Sequence, residues 1–447
     1  MEFISRLPGR QAITGFGLAI LIGTFLLSMP VSHGQRSVSP LDALFTSTSA
    51  VCVTGLSVVD ISKDFSFFGQ VVILLLIQLG GLGIMTLTTG LFAAVGARMS
   101  YHDRLGLSQT HGTGRHIQFK TLLKAVAAIT LLVEAIGATL LFFTFLGDYS
   151  VGDAAFHAIF QSVSAFCNAG FSTFSVNLEG HASDPFVLMV IASLIVVGGL
   201  GFAVIREVAD KSLHRKSRLS LHTKIALVAS AILLVGGTCL FLGMEHDNAY
   251  AKFGWSDKIV NAIFQAVAPR TAGFNAVPQV SLTEVSLLFT IIFMFIGALP
   301  GSTGGGIKAS SAAIILLLVI NRFRGRQSVS AFRRSISQES IVQALTVFML
   351  AILFIVVALA ALMFAQRPLV HGASGGWFIE HLFEVVSAFG TVGLSLGLTP
   401  KLYPFGKIIL IITMFVGRVG LLTLAFSLAR LSTKGEIVYS EEPVMIG

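Results

Sequence analysis

Phe383-Glu384-Val385-Val386-Ser387-Ala388-Phe389-Gly390-Thr391-Val392-Gly393-Leu394 decides how this chain is read. It joins a short apolar run to a glycine-rich end that is too flexible to stay helical. The same pattern occurs three more times. Phe45-Thr46-Ser47-Thr48-Ser49-Ala50-Val51-Cys52-Val53-Thr54-Gly55-Leu56 is the first copy, and Phe160-Gln161-Ser162-Val163-Ser164-Ala165-Phe166-Cys167-Asn168-Ala169-Gly170-Phe171 the second. Phe264-Gln265-Ala266-Val267-Ala268-Pro269-Arg270-Thr271-Ala272-Gly273-Phe274 is the third, one residue shorter. A second small-residue site follows each motif glycine after 25, 28, 24 and 24 residues. It reads Gly80-Gly81-Leu82-Gly83, Gly198-Gly199-Leu200-Gly201, Gly297-Ala298-Leu299-Pro300 and Gly417-Arg418-Val419-Gly420. Register held at two places at once is the mark of a fourfold internal duplication.

Of the 447 residues, 54% are hydrophobic and only 12% charged, with a mean hydropathy of +0.85. That is about half the charge of a soluble protein. Apolar runs long enough to span a bilayer lie at about 11–31, 67–95, 122–146, 186–208, 223–242, 286–320, 341–364 and 408–431. The expected fold is an all-α polytopic membrane protein. It consists of four tandem repeats of helix, pore helix, loop and helix around one central pore. Residues 11–95, 122–209, 222–320 and 339–432 make the repeats, and 433–447 a cytoplasmic tail. Residues 1–10 read as a short basic lead without a cleavage site. Three cysteines (Cys52, Cys167, Cys239) argue against a disulfide framework. The net charge of +8 speaks to orientation and not to nucleic acid.

Each motif falls between an odd-numbered run and the next, in a connection too apolar to be an open linker. A re-entrant helix and loop is the expected form, since irregular backbone at membrane depth is tolerated where it lines a watery cavity. Ser39-Pro40-Leu41-Asp42, Gly152-Asp153 and Ser256-Asp257 supply cap-type residues for three of the short helices, while the fourth starts at Gly375-Gly376-Trp377 without them. The linkers after even-numbered runs are basic: Arg98, Arg104, Arg115, Lys120 and Lys124; then Arg206, Lys211, Arg215, Lys216 and Arg218; then Arg322, Arg324, Arg326, Arg333 and Arg334. Residues 148–184 contain no lysine or arginine. The positive-inside rule then puts the basic linkers and both termini in the cytoplasm and the four motifs within reach of the outside. His102, His111 and His116 in the first linker read as a solvated face or partner contact.

A dehydrated cation needs a ring of oxygen ligands, and several loops aimed at one axis can supply it from backbone carbonyls. Glycine allows the positive φ values such a loop requires. The candidate lining is Cys52, Val53, Thr54 and Gly55; Cys167, Asn168, Ala169 and Gly170; Arg270, Thr271, Ala272 and Gly273; and Gly390, Thr391, Val392 and Gly393. The plainer reading is small residues that permit close packing, and four copies in register weigh against it. Thiols are poor ligands for hard cations, so Cys52 and Cys167 read as small packing residues. Arg270 would repel a cation, so its side chain is expected behind the loop, paired with an acid or capping carbonyls.

Gly301, Ser302, Thr303, Gly304, Gly305 and Gly306 follow Pro300 in the middle of the sixth run, and a continuous helix does not tolerate this composition. The other even-numbered runs have no such insert. The segment 297–308 reads as an intramembrane gate loop, against the alternative of a kink or packing notch, with Lys308 expected to snorkel to the cytoplasmic boundary. Arg418 stands where the other repeats have Gly81, Gly199 and Ala298. A mid-span arginine is costly and points to function. It reads as an electrostatic barrier beside the loop or as a helix-tying ion pair with Glu134 or Glu384.

At these residues the sequence resembles the Trk/Ktr/HKT superfamily of potassium transporters, and specifically the membrane subunit of bacterial Ktr systems. The resemblance rests on Val53-Thr54-Gly55-Leu56, Asn168-Ala169-Gly170-Phe171, Pro269-Arg270-Thr271-Ala272-Gly273-Phe274, Ser387-Ala388-Phe389-Gly390-Thr391-Val392-Gly393-Leu394, the glycine-rich loop and Arg418. Cys52 departs from the hydroxyl residue common in Ktr relatives. The resemblance implies potassium uptake at the cell membrane, a homodimer with one pore per subunit, sodium as an activator, and a cytoplasmic nucleotide-binding subunit of the RCK (KtrA-like) type. No G-x-G-x-x-G after a strand occurs in the chain, so nucleotide control is expected from a separate protein, and no organic cofactor is expected here. The basic linkers and the tail residues Glu436, Glu441 and Glu442 are candidate docking surfaces. The competing reading is a secondary symporter moving potassium with sodium or protons by alternating access. An enzyme is set aside because the loops hold no Ser/His/Asp or metal-ligand cluster.

Overall fold

The computed structural model describes residues 8–96, 119–213, 219–366 and 376–421, and helices dominate them. In chain order these are α1 (Pro8–Leu27), α2 (Pro40–Val51), α3 (Phe67–Gly96), α4 (Phe119–Phe145), α5 (Val151–Cys167), α6 (Pro185–Leu200) and α7 (Phe202–Leu213). There follow α8 (Leu221–Glu245), α9 (Trp255–Val267), α10 (Glu284–Phe295), α11 (Ala309–Phe323), α12 (Gln338–Ala365), α13 (Trp377–Gly390) and α14 (Pro404–Val419). Among the described residues, the strands are two-residue pieces of one hairpin, Ser330–Ala331 against Arg334–Ser335. Arg98, Arg104, Arg115, Arg215, Lys216, Arg218, the three linker histidines, Glu436, Glu441 and Glu442 lie outside the described residues.

Polarity is arranged for a lipid solvent. Lys124–Phe145, Leu221–Glu245 and Gln338–Ala365 are long and apolar enough to cross a bilayer, yet only 28%, 28% and 22% of their apolar windows are buried. Their outer faces, carrying Leu131, Phe143, Ile232 and Val356, are exposed, and such surface is stable only against hydrocarbon. Serines, threonines, glutamines and Glu384 are instead buried on the short helices α2, α5, α9 and α13. The first motif residue of each copy (Phe45, Phe160, Phe264, Phe383) is fully buried and anchors its short helix.

Packing runs in a circle. In the sets α1–α2–α3, α4–α5–α6 and α12–α13–α14 both outer helices pack on the short one, and in α8–α9–α10 the short helix packs on α8, which in turn meets α10. The last helix of each set also packs on the short helix of the next: α3 on α5, α6 on α9, α10 on α13, and α14 back on α2. Glycines make the first kind of contact close. A Cβ on Gly23 or Gly137 would strike the hydroxyl of Ser47 or Ser162, which donate to the carbonyls of Ile20 and Glu134.

Several local expectations are corrected. The cap of α5 is Ser150, two residues before Gly152-Asp153, with its hydroxyl accepting from Asp153 N. For α9 the cap is Gly254, without a side-chain bond, and Asp257 lies in the first turn. Ser39 caps α2 as expected, accepting from Asp42 N. The run 186–208 is not one straight helix: α6 and α7 meet at Gly201 with a bend of 98°. Gly201 has φ +79°, and its Cα lies against the carbonyl of Pro300, where a Cβ would sit 2.6 Å away. The bend therefore seats the second set on the glycine-rich loop of the third.

An ion pair marks the seam where α14 returns to α2. Lys407 Nζ lies 2.5 Å from Asp42 Oδ1, with side chains only 16% and 18% exposed. Lys407→Met removes the bond and is expected to destabilise the protein by about 1.5–3 kcal/mol. This reads as a lower unfolding midpoint of detergent-solubilised protein, and Lys407→Arg should retain most of the wild-type value.

Candidate functional site: four glycine-ended loops

Each short helix ends in a loop with two left-handed residues separated by one ordinary residue. The glycines have φ +93° (Gly55), +70° (Gly170), +72° (Gly273) and +98° (Gly393). Two positions earlier, Val53 (φ 55°), Asn168 (59°), Thr271 (68°) and Thr391 (49°) adopt the same sign. Three of these four are β-branched, and the left-handed conformation costs such residues about 1–3 kcal/mol each. Local propensity gives no sign of this strain; the surrounding structure imposes it.

What imposes it is a closed circle of backbone. A Cβ on Gly55 would sit 2.5 Å from Ala169 O and 3.1 Å from Gly170 Cα. On Gly170 it would sit 2.8 Å from both Ala272 O and Gly273 Cα. On Gly273 it would meet Val392 O at 2.3 Å, and on Gly393 it would meet Thr54 O at 2.2 Å and Gly55 Cα at 3.0 Å. The four motif glycines thus touch in chain order and return to the first. The carbonyls of the four residues preceding them, Thr54, Ala169, Ala272 and Val392, lie at the contacts.

Loops held this tightly need anchors. Thr54 N, Ala169 N and Val392 N donate to the carbonyls of Ser49, Ser164 and Ser387 at 2.8, 2.7 and 2.8 Å. The same serines act again through their hydroxyls. Ser49 Oγ accepts from Gly55 N, Ser387 Oγ accepts from Gly393 N, and Ser164 Oγ donates to Phe171 O. These anchors were not among the expected site residues, although their recurrence six positions before three of the glycines is visible in the sequence. The third loop has Val267 at that position and uses Ala268 O instead. Behind the loops, Gln161 donates to Ser172 Oγ, Gln265 and Gln279 pair through their amides, and Glu384 accepts from Ser395 Oγ, Thr399 Oγ1 and Thr399 N. Cys52 and Cys167 are buried.

The segment 297–308 leaves and re-enters the helical layer through a narrow neck: Gly297 N donates to Ile307 O at 2.8 Å, and Ala309 N to Ala298 O at 3.2 Å. Its glycines lie against two of the four loops, the third and the fourth. A Cβ on Gly304 would strike Thr271 Oγ1 at 2.1 Å, one on Gly305 would strike Thr391 Oγ1 at 2.3 Å, and Gly306 (φ +65°) abuts Gly390. Gly301 (φ +76°) and Ser302 turn the chain, with Ser302 Oγ donating to Leu299 O. Thr303 donates its hydroxyl to Phe166 O and Gly198 O at 3.3 and 3.2 Å.

Three cations behave differently from expectation. Arg418 pairs with neither Glu134 nor Glu384: its Nη1 donates to Thr303 O and its Nη2 to Gly80 O at 2.6 Å. Glu134 instead accepts from Gln78. Lys308 does not reach away to the boundary but turns back, donating to Gly304 O at 2.7 Å. Adjacent carbonyls of the loop, Thr303 and Gly304, are thereby each held by a cation. Arg270 is buried behind its loop as expected, but its partner is Ser230 Oγ at 3.1 Å, not an acid.

An apolar helical shell around inward-turned polar loops and buried cations defines a membrane transport protein. The TrkH family, described as cation transport protein, matches residues 13–438. The chain belongs to this family. It is 36% identical to the Ktr system potassium uptake protein B of Bacillus subtilis, covering 100% of this chain and 98% of that one. It is also 36% identical to the potassium/sodium uptake protein NtpJ of Enterococcus hirae, covering 98% and 97%. The crystal structure of the potassium transporter TrkH from Vibrio parahaemolyticus shares its fold, with a TM-score of 0.71 over 93% of this chain and 85% of that one at 20% identity.

Gly417 of the second small-residue site and Gly236 of α8 are packed very differently. A Cβ on Gly417 would lie 2.0 Å from Phe389 O, a backbone atom that cannot give way, whereas one on Gly236 meets nothing within 4 Å. Gly417→Ala is expected to destabilise by about 1–3 kcal/mol through overpacking. Gly236→Ala should be neutral or stabilising by up to about 1 kcal/mol. Thermal melts of the two purified variants compare them directly.

Proposed function

We propose that this chain takes potassium into cells across the cytoplasmic membrane through the circle of four glycine-ended loops. The observation that carries the reading is that closed circle, with four equivalent carbonyls at its contacts. Such carbonyls replace the hydration shell of a potassium ion. The names of the full-length relatives support the same ion. The lining is assigned to Cys52–Gly55, Cys167–Gly170, Thr271–Gly273 and Gly390–Gly393. Each set of three helices with its loop is one of the four repeats, and the short helices enter from the outside. Lysines and arginines after the even-numbered runs support a cytoplasmic position for those linkers and both termini.

The gate is assigned to Gly301–Gly306 and Arg418. Arg418 and Lys308 hold the loop by its carbonyls against Thr271 and Thr391, and they add positive charge on the ion's route. Control comes from a separate cytoplasmic nucleotide-binding subunit docked on the basic linkers of a homodimer. Sodium enters as activator or as coupled ion, and the name of the Enterococcus relative favours keeping both in view.

Rubidium uptake by proteoliposomes, with and without a sodium gradient, tests the function. Uptake that follows the rubidium gradient alone fits conduction, and uptake that requires the sodium gradient fits symport. Absence of uptake by folded protein in both conditions refutes potassium transport. Gly393→Ser brings a side chain onto Thr54 O at a φ of +98°. It is expected to lower the preference for potassium over sodium by about tenfold, or 1.4 kcal/mol, with unchanged preference counting against the lining. Deleting residues 302–305 removes the Thr303 and Gly304 carbonyls from their cations. Flux is expected to rise with selectivity unchanged, and a fall in flux of folded protein would show that the loop is no barrier.

A further inference from the structure

Away from the axis, α11 and α12 enclose a groove of about 620 Å³. Leu318, Val319, Val342 and Leu345 form its walls, and Arg322 and Gln338 stand at its polar end. Leu345 is seven residues into α12, about 10 Å along the helix at 1.5 Å per residue. The groove therefore runs from the helix ends into the apolar layer. Phe323 beside it is 89% exposed. Among the described residues, the guanidinium of Arg322 has no hydrogen-bond or ion-pair partner. Arg324, Arg326, Arg333 and Arg334 are also exposed, and Glu339 is the sole acid between residues 318 and 345.

We propose that this groove binds an anionic phospholipid of the cytoplasmic leaflet, its phosphate on Arg322 and an acyl chain along Leu318, Val319, Val342 and Leu345. Charge complementarity selects the occupant. A cluster of unpaired arginines at headgroup depth attracts anionic lipid, and the apolar wall behind Arg322 accommodates a chain. A soluble partner docking on the cytoplasmic surface would reach Arg324 and Arg326 but not Leu345. The proposal rests on the cytoplasmic placement of these arginines argued above.

Native mass spectrometry of the full chain, presented with phosphatidylglycerol and phosphatidylcholine in detergent, tests it. Wild type should retain phosphatidylglycerol in preference. Arg322→Gln should lower that preference about fivefold, the effect of one cation near an anionic headgroup, while Arg206→Gln, outside the groove, should not. If Arg322→Gln does not fold, Val342→Trp fills the groove and should reduce retention of phosphatidylglycerol. Equal retention of the two lipids by wild type, or no effect of either groove variant, overturns the proposal. So does a disulfide-linked dimer formed in membranes by Phe323→Cys in a Cys239→Ala background, which would put a second copy over the groove. Labelling of Ser328→Cys in the same background by an impermeant thiol reagent reads orientation separately. Labelling from the outer side would refute the cytoplasmic placement even if the lipid preference persisted.

Discussion

Four glycines with no room for a side chain set the terms for the rest of this structure. Gly55, Gly170, Gly273 and Gly393 touch backbone to backbone in a closed circle, and each contact places a carbonyl of one loop against the glycine of the loop before it. A circle of this kind tolerates little slack. Left-handed backbone at Val53, Thr271 and Thr391 is the strain it demands, and the hydrogen bonds that Ser49 and Ser387 accept and Ser164 donates hold it in place. Buried polar pairs behind the loops (Gln161 with Ser172, Gln265 with Gln279, Glu384 with Thr399) brace the short helices from which the loops spring. Unpaired polar atoms in a lipid-surrounded interior are costly, so these pairs also specify which helix face turns inward.

The glycine-rich segment shows how one departure from symmetry gathers several others. It touches the third loop at Thr271, the fourth at Thr391 and the end of α5 through Thr303, and Arg418 ties it to Gly80 on α3 of the first set. Its partners are mostly backbone carbonyls. A carbonyl offers a partial negative charge that no protonation removes, so Arg418 and Lys308 are held without a carboxylate that would neutralise them.

Most of the architecture was legible in the sequence because glycine recurrence encodes it. The motif and the second small-residue site hold register across the chain, and both prove to be contact points: Gly80, Gly198 and Gly417 lie against the carbonyls of Val51, Phe166 and Phe389, which are equivalent positions in three copies. Other features were hidden for physical reasons. The partners of Arg418 and Lys308 are carbonyls, which every residue has, so no pattern of side chains announces them. The bend at Gly201 depends on Pro300 and Gly301 lying opposite it, a contact between distant segments. The serine anchors left a visible recurrence, but their task depends on where the loop folds back.

The ion pair between Asp42 and Lys407 joins residues 365 positions apart in the chain. Its partners are made near the beginning and near the end of synthesis, and chains emerge from the N-terminus onward. Until α14 is inserted, α2 lacks one of the neighbours that shield its buried Thr46, Ser47, Thr48 and Ser49. The growing protein must therefore carry an open, polar flank through most of its time in the membrane. Nascent chains stalled before residue 404 are open arcs, and these are the species that membrane quality control would meet.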